Sequence, residues 1–104
     1  MEAALEQTVR KLKARLEEAM GAPIQLTLFG SRARGDAVEG SDVDLFVVVP
    51  KLDRQTMDTL LDIAWEVGFE AGWVLSLIPV AEEELPRLSE SPFVRSVEQE
   101  GIRL

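Results

Sequence analysis

Cysteine, histidine, tyrosine and asparagine are all missing from these 104 residues. Without cysteine there is no disulfide, no thiolate zinc site and no thiol nucleophile. Without histidine, a Ser-His-Asp triad and imidazole-ligated metals are excluded too. Any chemistry must come from carboxylates, hydroxyls, lysine or arginine, and any metal must be a hard ion held by oxygen. The scarcity of thermolabile side chains suits a thermophile, but GC-rich codon usage leaves the same bias. No apolar run approaches the roughly 20 residues that a membrane span requires. The opening Met1-Glu2-Ala3-Ala4-Leu5-Glu6-Gln7 lacks the basic and apolar segments of a secretory signal, so the cytoplasm is the expected compartment. Basic charge is scarce as well: 11 Lys and Arg against 19 Asp and Glu leave a net charge of −8. That balance argues against nonspecific binding to nucleic acid. It leaves open a nucleotide that arrives with Mg²⁺, or docking on a basic protein.

What is present describes a soluble globular protein, with 46% hydrophobic and 29% charged residues. The length predicts a single domain over residues 1–104, too small to house separate nucleotide and acceptor domains. Leu5, Val9, Leu12, Leu16 and Ala19 or Met20 recur at helical intervals and predict a first amphipathic helix ended by Gly21 and Pro23. A strand is expected over Ile24 to Phe29. Ser31 then reads as the N-cap of a short helical turn through Arg34, and Asp36 to Ser41 as a loop. Val43 to Val49 is a nearly continuous apolar run closed by Pro50, as a strand buried on both faces would be. A second helix is predicted over Asp53 to Ala71, with Met57, Leu60, Leu61, Ala64, Trp65 and Gly68 on or near one side. A third strand follows over Trp73 to Val80, then a short acidic helix over Ala81 to Leu88. A last helix is expected through Glu100, capped by Ser91 and Pro92. This order predicts an α+β fold: a small mixed sheet covered on one face by helices.

The chemistry concentrates in two adjacent pieces. Phe29-Gly30-Ser31-Arg32-Ala33-Arg34-Gly35-Asp36 carries a strand into a Gly-Ser turn. Ser41-Asp42-Val43-Asp44-Leu45-Phe46-Val47-Val48-Val49 opens the next strand with two carboxylates. Side chains alternate along a strand, so Asp42 and Asp44 share a face roughly 6.5–7 Å apart. Two acids beside a turn whose backbone N–H groups can meet phosphate are the parts that hold a metal-bound nucleoside triphosphate. The full pattern is G-S-x10-D-x-D, expected by chance in about one chain of this length in a thousand. Each part has a plainer reading on its own: Gly30 can simply end a strand, Ser31 can simply cap a helix, and D-x-D can be turn chemistry facing solvent.

These motifs resemble the DNA polymerase β-like nucleotidyltransferase superfamily, most closely its minimal members, which consist of the catalytic domain alone. The resemblance is concentrated in Ile24 to Val49. It implies the polymerase β-like fold and transfer of a nucleoside monophosphate, AMP from ATP, to a hydroxyl. By the resemblance, Gly30 and Ser31 contact the β- and γ-phosphates while Asp42 and Asp44 are catalytic and hold Mg²⁺ or Mn²⁺. Arg32 and Arg34 either add phosphate contacts or pair with Asp36 and Glu39. The superfamily usually draws a third carboxylate from a later strand. Here the same-face positions are Val74 and Ser76, and neither is an acid. Many minimal members act as antitoxins beside a HEPN-domain partner, which some of them adenylylate. Two functions are therefore expected as alternatives: an ATP-dependent transferase acting on such a partner, or a weak or inactive nucleotide-binding module that neutralises it by contact. Trp65 and Trp73 read as core or partner-interface residues, and Glu82-Glu83-Glu84 as a solvated first turn.

Overall fold

The structure is a computed structural model describing residues 1–104. Helix α1, Ala3–Met20, buries Leu5, Thr8, Val9, Leu12 and Leu16, the stripe its apolar spacing predicts, and stops at Gly21. Strand β1, Gln25–Phe29, leads into the four-residue turn of helix α2, Ser31–Arg34. Strand β2, Val43–Val49, begins immediately after Asp42. Helix α3, Arg54–Ala71, starts where the Asp53 carboxylate accepts a hydrogen bond from the Thr56 N–H at 2.8 Å. That hydrogen bond holds the Asp53 carboxyl below the usual carboxylate value, as expected of an acid capping a helix N-terminus. Strand β3, Leu75–Ala81, is followed by a 3₁₀ turn over Glu82–Glu84 and helix α4, Leu85–Leu88. Helix α5, Pro92–Glu100, is capped by the Ser91 hydroxyl, which accepts from the Val94 N–H. Strand β4, Ile102–Arg103, completes the chain's regular structure. No helix is long and apolar enough to cross a membrane.

The four strands form one mixed sheet in the order β3-β2-β1-β4. β1 runs antiparallel to β2 and β4, and β2 runs parallel to β3 through α3. Alternation along β2 explains its unbroken apolar run. Val43, Leu45, Val47 and Val49 enter the larger core under α1 and α3. Phe46 and Val48 enter a smaller core with Val94 and Val97 of α5. Helices α1 and α3 thus cover one face as expected, and α4 and α5 add a partial cover on the other.

Several local expectations shift. Ser31 is the first residue of α2 rather than its cap, which falls on Gly30. Along α3, Ile63 and Val67 are buried while Leu61 and Trp65 face outward. Both sets satisfy helical spacing, and packing against α1 selects the first. Trp73 precedes β3 and donates its N–H to the Gly68 carbonyl, so it finishes α3. Strand β4 was not expected, because two residues carry no periodicity. It forms because Gly101, whose absent side chain leaves room beside Thr27 and the Val97 carbonyl, lets the chain turn closely onto β1.

The outer strand β3 has one edge without a neighbour. The Val43 N–H donates to the Val74 carbonyl, so in this parallel register residues 74, 76, 78 and 80 address β2. The backbone of Leu75, Leu77, Pro79 and Ala81 therefore points to the open side, and Pro79 brings no donor there.

Candidate active site

The end of β1, the start of β2 and the start of β3 meet at one margin of the sheet. Phe29 pairs with Asp44 across the antiparallel ladder, which brings Gly30 directly against the acid. A Cβ placed on Gly30 would lie 2.5 Å from Asp44 Oδ2 and 3.3 Å from its Cγ. Gly30 also has φ 75° and ψ −157°, a conformation essentially restricted to glycine. The Gly-Ser turn and the second acid are thus one packed unit, and only a residue without a side chain completes it. The Ala33 and Arg34 N–H groups both donate to the Gly30 carbonyl at 3.1 Å and close the turn. The Ser31 hydroxyl has no hydrogen-bond partner within the chain and is half-buried.

Asp42 is exposed and Asp44 half-buried. Burial pushes the Asp44 carboxyl above its ordinary value, the neighbouring Asp42 charge pushes it further, and Arg34 offsets part of the rise. An ionised pair so placed is electrostatically incomplete. Two oxygen donors on one strand face fit a hard divalent ion that takes its remaining ligands from water and phosphate oxygens. No group of three or more Asp or Glu side chains converges anywhere in the chain. The position beside Asp44 on β3 is Ser76, and the Val74 carbonyl is engaged with the N–H between the two acids. Glu66 and Glu70 are drawn to α1, where they pair with Arg15 and Lys11 at 3.1 Å.

The two arginines of the turn part company. Arg34 is exposed and pairs with Asp36 at 3.3 Å, one of the local acids considered for it. Arg32 meets neither Asp36 nor Glu39. Its Nε and Nη2 donate to the Ser41 carbonyl at 3.2 and 2.8 Å, and its guanidinium stacks over Trp73 at 4.7 Å. Ser41 in turn accepts the Val38 N–H on its hydroxyl at 3.1 Å. Arg32 is therefore the strap that holds the loop before Asp42 against the end of α3. Sequence reasoning missed this role because both partners arrive from other parts of the chain.

It also missed Phe93, which meets Phe29 edge-on at 5.5 Å and Phe46 at 6.2 Å. This ring lies on the face that β2 alternation assigns to Asp44. The Ser91-Pro92 cap just before it was the available signal.

Comparison with known proteins adds three findings. The model of a family described as "nucleotidyltransferase domain" matches residues 9–104. Two Methanocaldococcus jannaschii proteins, both provisionally named protein adenylyltransferases, are similar to the chain. One is 36% identical over 93 residues, covering 86% of this chain and 61% of the relative. The other is 32% identical over 100 residues, covering 96% of this chain and 93% of the relative. The chain thus spans about three fifths of the first relative's length and nearly all of the second's. A solved structure described as a toxin-antitoxin with AMP-PNP matches at a TM-score of 0.59 and 18% identity. It covers 89% of this chain and 69% of that one, and the likeness is one of fold.

Proposed function

This chain belongs to the nucleotidyltransferase domain family, and from that premise we propose that it transfers AMP from ATP to a hydroxyl of a partner protein. The observation that carries the reading is the close approach of Gly30 to Asp44, which holds the Gly-Ser turn against the acids at the start of β2. The two similar proteins named as protein adenylyltransferases support AMP as the group moved and protein as the acceptor.

In this reading Gly30 lets the triphosphate approach the backbone, and the Ser31 hydroxyl and N–H donate to its oxygens. Asp42 and Asp44 would hold a divalent ion such as Mg²⁺, which would supply charge neutralisation for the phosphates. The acceptor oxygen bonds to the α-phosphorus, the bond from that phosphorus to the bridging oxygen breaks, and pyrophosphate departs. The acceptor's proton passes to solvent, since neither Val74 nor Ser76 can take it. Arg34 contributes positive charge near the acids, while Arg32 holds the loop rather than phosphate. The partner is a HEPN-domain toxin for which this chain is the antitoxin, and the ATP requirement makes the cytoplasm its compartment.

One observation favours a second reading. Ser76 pairs with Asp44 where the superfamily usually has an acid, so the site has two carboxylates instead of three. A nucleotide-loaded module that neutralises its partner by contact alone would need no more. Incubation with ATP, Mg²⁺ and the partner, followed by intact mass of both chains, separates the two. One added AMP on the partner, lost in the Asp42→Asn/Asp44→Asn double variant, is the expected result. A stable complex in which neither chain gains mass refutes transfer and leaves the contact-only reading.

A further inference from the structure

The most exposed aromatic side chains lie on α3, which covers the sheet face opposite Asp44. Trp65 and Phe69, one helical turn apart on α3, stack at 5.1 Å with their planes 13° from parallel. They remain 68% and 74% exposed, and Leu61 and Val74 beside them are 46% and 64% exposed. With Ala64, Trp73 and Leu75 these residues line a largely apolar groove of about 310 Å³. An isolated exposed leucine needs no explanation, but a groove of stacked aromatics marks a surface that is covered in use.

We infer that this groove is the docking surface for the acceptor protein, whose matching surface is an apolar segment flanked by Lys or Arg. The inference rests on the protein-acceptor reading above and assigns that acceptor a place.

Two observations select this occupant. The first is continuity with the site. Trp73 and Val74 also line the neighbouring cleft formed with Arg32, Glu39, Gly40 and Ser41. The Val74 carbonyl accepts from Val43, the residue between the two acids. The groove thus runs through Trp73 and Val74 to the end of the sheet where β2 and β3 start, the end from which Asp42 and Asp44 project on the opposite face.

The second is charge. Asp58 and Asp62 stand three residues before Leu61 and Trp65, on the adjacent row of α3. Both are exposed and neither has an ion-pair partner, whereas Glu66 and Glu70 are already matched by α1. An apolar strip beside unmatched acids is complementary to a basic rim. A second copy is disfavoured on the same ground. A two-fold contact would bring this acidic row against its own equivalent, in chains that each carry a net charge of −8.

The test compares the wild-type chain with Trp65→Glu/Phe69→Glu, Asp58→Lys/Asp62→Lys and Asp42→Asn/Asp44→Asn. The probe is the HEPN-domain partner proposed above, with affinity read by calorimetry and transfer by intact mass. Loss of two aromatic anchors is expected to weaken partner affinity at least about 100-fold. ATP–Mg²⁺ affinity and the far-UV helix signal should stay at wild-type values in that variant, because both side chains are already in solvent. Charge reversal at Asp58 and Asp62 should slow association and weaken binding about tenfold or more. The Asn pair should bind the partner normally and transfer nothing. Wild-type partner affinity in Trp65→Glu/Phe69→Glu overturns the inference, as does failure of the wild-type chain to bind the partner. So does a wild-type dimer, seen alone by sedimentation velocity, that this variant dissociates. Groove-dependent binding without any AMP transfer upholds the docking surface and removes the transferase reading instead.

Discussion

Replacing Gly30 with alanine tests the close approach of the turn to Asp44. The new methyl group meets two obstacles that a double-mutant cycle can separate. One belongs to the backbone: φ 75° with ψ −157° is a region that side chains rarely enter, and holding alanine there costs about 1–3 kcal/mol. The other belongs to Asp44, whose Oδ2 would lie 2.5 Å from the added carbon, an overpacking collision of about 1–3 kcal/mol. Taking the middle of each range, Gly30→Ala destabilises the metal-free fold by about 4 kcal/mol. For a chain of this size that lowers Tm by about 16 °C or more. Asp44→Ala removes the carboxylate and leaves only its Cβ, at 3.4 Å from the added methyl, an ordinary contact. In that background Gly30→Ala should cost only the backbone part, about 2 kcal/mol. The cycle thus predicts a coupling of about 2 kcal/mol, well above the ~0.5 kcal/mol within which independent sites add. Urea denaturation of the four proteins with chelator present measures it. Costs for Gly30→Ala that agree within that margin in both backgrounds would refute the claim that turn and acid form one packed unit.

Two further outcomes follow from the same acids. Burial and the Asp42 charge raise the Asp44 carboxyl above its ordinary value of 3.8. The native chain therefore binds more protons than the unfolded one between 3.8 and the raised value, and stability falls as pH rises through that window. Metal-free Asp44→Asn should accordingly melt above wild type at neutral pH and lose the advantage once pH falls below 3.8; an equal advantage at every pH contradicts the argument. Ser76→Asp would place a third carboxylate beside Asp44. It should raise Mn²⁺ affinity on the order of tenfold while lowering metal-free stability, and unchanged Mn²⁺ calorimetry would show that this register position does not face the ion.

How much was legible in the sequence depended on how local each determinant is. The turn after β1 and the stripe on α1 depend on residues a few positions apart, and the structure has both where spacing put them, with the cap of α2 moved to Gly30. The side of α3 that faces inward was not legible, since Leu60 and Ala64 combine equally well with Leu61 and Trp65 or with Ile63 and Val67. Only the position of α1 decides between them. The part Arg32 plays in holding the loop was not legible, because its partners, a carbonyl nine residues on and an indole across the fold, are invisible to a short motif. Strand β4 is two residues long and owes its existence to a space left by Gly101. The serine opposite Asp44 was anticipated from parity alone, and the register of β2 with β3 pairs the two residues.

Pro79 gives the open edge of the sheet a consequence for the protein in bulk. A strand from another molecule laid along β3 would find N–H donors at Leu75, Leu77 and Ala81, but a gap at Pro79 between them. Growth of a fibre requires an uninterrupted ladder repeated at every layer, so one missing donor near the middle of a seven-residue strand recurs as a fault throughout the stack. The chain can thus leave an edge of its sheet uncovered next to an apolar groove and still resist polymerising at high concentration.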